Sequence, residues 1–298
     1  MPGIPPQHQT SRASGTSGIY VSTYTSIHAL PSYVWNALEK HERPSNVILP
    51  HALNTSRRHQ EMITPNQFWM TCETTRSPAS SSSERQLDFI LSCTEWHMGT
   101  YPIFIVSTHP THTLTSAFLA PRVALLATEL QVTAVPNDRV YSIFAPAPLS
   151  KAFAQAWATV SGVELEEHSY YAARFSHCTR RTFVDRPLQP ANNDGSIYNL
   201  RLAREEDISQ VAALCKGFAS KSEPFFLDDA GALKEAKYLI ENRIGWVHEV
   251  VKNGVSEIAC LVATTRNSSR VATITKVYTS PSWRKRGCAE RLVRAVCQ

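Results

Sequence analysis

The sequence predicts a mixed α/β protein, with a mixed sheet of the α+β kind, built as two domains in one chain. Three observations carry that reading. Residues 197–298 switch between the apolar periods of strands and helices in the order β-α-α-β-β-β-α. Residues 101–180 run β-α-β-α-β-β. Between them PLQPANNDGS, 187–196, sets two prolines and an Asn-Asn-Asp-Gly run where neither pattern continues, which reads as a linker.

Length and composition agree with this. The 298 residues, 43% of them hydrophobic and 9% aromatic, are enough for two buried cores. The net charge of +5 is scattered along the chain and forms no basic block, which argues against a nucleic-acid partner and leaves an anionic cofactor or peptide open. Seven cysteines, an odd number without a CxxC pair, read as reduced thiols. No charged and apolar leader opens the chain, and no run approaches the roughly 20 apolar residues of a membrane helix. The expectation is therefore an intracellular protein, cytoplasmic in the first place and nuclear in the second, with no membrane partner.

In chain order, residues 1–20 are rich in Pro, Ser, Thr and Gly and read as a disordered leader. RSPASSSSE, 76–84, reads as a flexible loop. YPIFIVST (101–108) is a strand, and LTSAFLAPRVALLATELQV (114–132) is a helix in spite of Pro121. RVYSIFAP (139–146) is a strand expected to pair with YPIFIVST. PLSKAFAQAWATVSGVE (148–164) is a helix, and ELEEHSYYAARFSHCTR (164–180) is read as paired strands. His109 and His112 sit in the loop STHPTHT with no third ligand in view, so a solvated loop is preferred to a metal site.

After the linker, IYNLRLA (197–203) alternates as a strand, and REEDISQVAALCKGF (204–218) is an amphipathic helix with acids in its first turn. DDAGALKEAKYLIENR (228–243) is a second helix. WVHEVVK and EIACLVATT flank Asn253-Gly254, a hairpin signal. RVATITKVYT (270–279) is a further strand, expected to be left as a sheet edge or covered by a loop, and a helix opens at Gly287.

The loop before that helix carries the chemistry. SPSWRKRGCAE places Gly287 and the small Ala289 at a helix N-terminus beside Arg284, Lys285 and Arg286. Unpaired N–H groups and a partial positive charge there favour a phosphate, and glycine removes the Cβ that would hold it off. An isolated RKR is more often a solvated cluster. The strand-loop-helix setting is what raises the phosphate reading. No GxSxG elbow or Walker-type loop competes with it.

Arg284-x-x-Gly287-x-Ala289, preceded by V-Y-T-x-P and followed by ERLVRAV, resembles the acyl-CoA motif of the GCN5-related N-acetyltransferases (GNAT). Residues 197–298 resemble that family in element order as well. The resemblance implies a GNAT-like acyl-CoA N-acyltransferase fold over 197–298. It is incomplete, because the family continues through another strand, a helix and two strands. Residues 21–186 would be a degenerate GNAT-like domain without the phosphate motif.

It further implies an enzyme transferring an acyl group from acetyl-CoA to an amine acceptor whose identity the sequence does not give. The pantetheine arm would lie along Val277, Tyr278 and Thr279, and the pyrophosphate would meet Arg284, Lys285, Arg286, Gly287, Cys288, Ala289 and Glu290. The family commonly places a carboxylate base on or beside the motif strand, and none occurs from Val271 to Thr279. His248 and Glu249 are the nearest substitutes, with Tyr278 as a third candidate. Each has the simpler reading of an ordinary strand residue. The family's tyrosine acid would lie beyond Gln298. The alternative function is acyl-CoA binding without turnover.

Overall fold

Contacts divide the chain into two units: Met1–Glu167 with Ser268–Val271, and His168–Asn267 with Ala272–Gln298. The structure is a computed structural model and describes residues 9–12, 18–57, 67–75, 85–96, 99–133, 136–185 and 195–298. The expected 76–84 loop and most of the expected linker lie outside the described residues.

The first unit is organised by a sheet whose central strands are apolar on both faces. In chain order its elements are β1 (Gln9–Arg12), β2 (Ile19–Tyr24), α1 (Ser32–Lys40), α2 (Leu49–Ser56), β3 (Phe68–Thr75) and β4 (Arg85–Cys93). A small hairpin of β5 (Glu95–Trp96) and β6 (Gly99–Thr100) follows, then β7 (Ile103–Ser107), α3 (Ser116–Val132), β8 (Ile143–Phe144) and α4 (Ala147–Ser161). The sheet order is β1-β2-β3-β4-β7-β8. Every pairing is antiparallel except β7 with β8, which the α3 crossover makes parallel. Phe68, Met70, Phe89 and Leu91 face α3 and α4, where Leu126, Phe153 and Trp157 close one core. Trp69, Ile90 and Phe104 face α1 and α2 on the other side, against Val34, Leu38 and Leu49. Each such side chain contributes about 1.5–3 kcal/mol by leaving water.

The second unit repeats the part of this order that runs from β2 to α3. It runs β9 (Ile197–Leu202), α5 (Ile208–Ala219), α6 (Asp229–Glu241), β10 (Gly245–Lys252), β11 (Val255–Ala263), the small hairpin β12 (Arg266–Asn267) and β13 (Ala272–Thr273), β14 (Lys276–Thr279) and α7 (Cys288–Cys297). Its sheet, β14-β11-β10-β9, is antiparallel throughout. The Asn253-Gly254 turn takes φ values of 52° and 77° at its two residues, as a two-residue hairpin of this kind requires. α5 and α6 cover one face, packing Val211, Leu214 and Leu239 on Val247 and Leu261. α7 covers the other, setting Cys288 and Leu292 against Val250, Cys260 and Val262.

Each unit also carries one β-bulge at the corresponding place. Between β3 and β4 the register slips after Cys72, leaving Asp88 unmatched. Between β10 and β11 it slips after His248, leaving Ala259 unmatched. The extra residue turns Ala259 and Cys260 to the same face, under α7.

Several expectations need correction. Within the 1–20 leader, Gln9–Arg12 pairs with Tyr20–Thr23, because the leader's polar residues supply a backbone ladder even without an apolar pattern. RVYSIFAP is a strand only at Ile143–Phe144, since Asn137–Arg139 winds into a 3₁₀ turn first. The span 164–180 forms no strand, and Tyr171 and Phe175 are 68% and 67% exposed. Its alternation has no partner strand to make it a sheet. The 270–279 segment is broken: Ala272–Thr273 pairs with β12 and Lys276–Thr279 with β11, so the ladder changes partner at Ile274-Thr275. Its last part is a sheet edge.

Candidate functional site

Strand β14 leads through a 3₁₀ turn at Pro281–Trp283 into the Arg284–Gly287 loop and then α7. The loop backbone is unusual at two points. Lys285 takes φ 59° and Gly287, the residue capping α7, takes φ 71°. The left-handed region costs a residue with a side chain about 1–2 kcal/mol and costs glycine almost nothing. A Cβ at Gly287 would also lie 3.0 Å from Nη1 of Arg291. The sequence therefore puts glycine where the backbone conformation demands it, and where a side chain would press on the end of Arg291.

Among the described residues, no side chain caps α7. Its first N–H groups have no partner inside the helix and carry the positive end of the helix dipole. The first unit differs at the corresponding helix. There Thr115 Oγ1 accepts from Phe118 N at 3.3 Å and closes the N-terminus of α3.

Around the α7 terminus the cations are arranged in a definite way. Arg284 Nε donates to Thr279 O and Nη2 to Tyr278 Oη, both at 3.3 Å, so its guanidinium lies along the end of β14. Arg286 stacks over the Trp283 ring at 4.7 Å. Arg291, one turn into α7, donates from Nη2 to Arg286 O at 2.6 Å and from Nε to His248 Nε2 at 3.2 Å. Sequence reasoning missed Arg291. Its spacing of four from Gly287 is the signal that would have found it, since residues i and i+4 share a helix face.

Alternation on β14 separates its side chains. Tyr278 points to the α5 face, where its ring end fills the space beside Gly217; a Cβ there would lie 2.6 Å from the ring. Lys276 points the same way and pairs with Glu235 Oε1 at 2.6 Å. Thr279 points to the α7 face and donates to Cys260 Sγ at 3.3 Å. Val277 is on the Thr279 face and 37% exposed. Of the other residues singled out in the sequence, Arg284, Lys285, Arg286, Gly287 and Glu290 are exposed, Ala289 is half-buried and Cys288 is buried, its thiol pushed up by burial.

The three catalytic candidates do not converge on one point. His248 is fully buried on the α7 face, edge-on to Tyr198 at 5.6 Å, and its Nδ1 finds no hydrogen-bond partner on another residue among those described. Burial and then the Arg291 charge lower its pKa to about 4, so it is a neutral acceptor at pH 7. Glu249 lies on the opposite face. It accepts from Arg201 Nε at 2.9 Å, Asn199 Nδ2 at 3.0 Å and Ser256 Oγ at 2.7 Å, and these bonds, that from Arg201 first, hold its carboxyl at about 2. Arg201 continues to both oxygens of the buried Asp207, at 2.6 and 3.0 Å, tying the start of α5 to the sheet. A carboxylate held so low is a weak proton acceptor.

His109, in the first unit, is not in a solvated loop alone. Its Nε2 lies 2.7 Å from Asp88 Oδ1, and Arg122 Nε donates to Asp88 Oδ2 at 2.8 Å.

Among solved structures, one of a possible acetyltransferase from Clostridium difficile 630 is similar over 34% of this chain and 68% of that chain, at 22% identity and a TM-score of 0.29. No family model and no curated protein matches. The chain is a mixed α/β protein with a mixed sheet. Among the described residues, no helix is long and apolar enough to cross a membrane.

Proposed function

We propose that the second unit binds acetyl-CoA at the N-terminus of α7 and that the chain is an N-acetyltransferase of the GNAT kind, moving the acetyl group to an amine. The observation that carries this is the uncapped helix start at Gly287, in the left-handed conformation, with Arg284, Lys285, Arg286 and Arg291 around it. In this reading the pyrophosphate accepts from the N–H groups of residues 287–290, and the pantetheine arm runs along the free edge of β14 beside Val277, Tyr278 and Thr279. The first unit, whose equivalent helix is capped by its own Thr115, does not bind.

Acyl transfer also needs a proton acceptor for the attacking ammonium and polarisation of the thioester carbonyl. Among the candidates, Tyr278 stands closest to the proposed arm, and His248 and Glu249 are engaged elsewhere. That engagement favours a second reading, acyl-CoA binding without turnover. Calorimetry with acetyl-CoA tests the site. Following CoA thiol release over a mixed amine panel separates the two readings: steady release supports the transferase, and binding without release supports the second.

A further inference from the structure

The repeat between the two units exposes a device that the second unit uses differently. In each, an arginine from the helix that follows β7 or β14 reaches down to the bulge in the central hairpin. In the first unit that arginine is Arg122, and it meets Asp88, the unmatched residue of the bulge, whose side chain is 2% exposed. Arg122 also lies over the Phe118 ring at 3.8 Å and donates from Nη2 to Thr74 Oγ1 at 2.8 Å. Its charge is matched by a carboxylate and its donors point inward.

In the second unit the arginine is Arg291, and the residue beside the bulge is His248. The acceptor is neutral, so the guanidinium is located without being neutralised. Two of its nitrogens are spent on His248 Nε2 and Arg286 O. The third, Nη1, lies 3.0 Å from the point where a Cβ on Gly287 would be, at the mouth of the uncapped helix. Accepting at Nε2 puts the imidazole proton on Nδ1, and that atom is buried without a partner on another of the described residues. A buried, half-satisfied histidine is costly where an apolar residue would pack, which asks for a reason beyond packing.

We infer that Arg291 is an anion-binding residue at the α7 N-terminus and that His248 is its positioning residue, holding the guanidinium and the Arg286–Cys288 turn in place while leaving the positive charge free for a phosphate oxygen. This rests on the proposal that acetyl-CoA binds there.

The test compares His248→Phe, His248→Gln and Arg291→Met in the full chain by two readouts. The first, in the free protein, is hydrogen exchange of the Arg291 Nε–H by nitrogen-15 NMR. The second is acetyl-CoA affinity by calorimetry, with melting temperature as the check on folding. The expected result is faster Nε–H exchange and affinity weakened about tenfold or more in His248→Phe, the usual scale for a charge-assisted bond, with both restored towards the native value by the amide acceptor of His248→Gln. Arg291→Met should lose at least as much affinity. A folded His248→Phe protein with native exchange and native affinity would overturn the inference, as would native affinity in Arg291→Met. If the unaltered chain shows no acetyl-CoA binding, the cofactor assignment fails separately. The His248–Arg291 pair is then judged by exchange alone, and exchange in His248→Phe as slow as in the unaltered chain overturns it.

Discussion

Gly287 is the residue at which conformation and chemistry meet. Replacing it by alanine forces a side chain into φ 71° and against Arg291, so Gly287→Ala should weaken acetyl-CoA binding, and Gly287→Glu should abolish it by adding a like charge to the phosphate. Calorimetry on both variants, with unchanged far-ultraviolet circular dichroism, checks this. Gly287 and its basic neighbours were legible from the sequence because the hexad is local. Arg291 needed only the helical period, and His248 was visible but uninterpretable, because its partner lies 43 residues away.

Acid should act on the fold in two stages. The folded pKa of His248 is about 4, below its ordinary value of about 6.5, so the unfolded chain takes up a proton there first. Arg291, Tyr198, Cys260 and Cys288 are the titratable groups facing it, and Arg291 opposes its charging. Stability should therefore fall as pH drops from about 6.5 towards 4. Glu249 works lower down: its contribution is complete above the ordinary carboxyl value of about 4.3 and is lost as pH falls towards 2. Melting temperatures across this range should drop in two stages. His248→Gln should flatten the upper one, and Glu249→Gln should reduce the lower. Glu249 shares that lower stage with Glu42, where burial is outweighed by the hydrogen bonds from Ser268 and Arg270, which hold the carboxyl at about 2.

Among the elements, β14 and the helices on either side of it decide whether a site exists. Tyr278 is seated by the absence of a side chain at Gly217, so Gly217→Ala must push the ring from a packed place, at a cost of about 1–3 kcal/mol. The near-ultraviolet tyrosine signal should change, and denaturant melts should show the loss. Arg201 joins β9 to β10 and to the start of α5. Arg201→Met leaves Asp207 and Glu249 without their cation and should cost about 3–5 kcal/mol.

The elements of the second unit were legible because its helices are amphipathic and its hairpin carries an Asn-Gly turn. In the first unit β3 and β4 were not: Phe68–Glu73 is buried at every position, so no alternation marks it as a strand. The 164–180 segment misled for the opposite reason, since its aromatic residues suggest strand but lie in solvent.

At the scale of the molecule, the repeat of one element order in both units is the main organising fact, and the sequence showed only part of it. The 101–161 elements were readable, while β2, α1 and α2 were not, because α1 buries only Val34 and Leu38 and α2 is eight residues long. The two units differ where function is concerned: one helix start is capped by Thr115 and overlaid by an arginine paired with Asp88, and the other is open at Gly287 with an arginine paired to a neutral histidine. Acetyl-CoA binding should accordingly be confined to the second unit.

Hydrogen–deuterium exchange of the full chain with and without acetyl-CoA reads this directly. The account predicts slowed exchange at residues 277–279 and 286–290 and no change at 108–118. Native exchange in the 286–290 segment at saturating acetyl-CoA, or protection at 108–118 in its place, would contradict it.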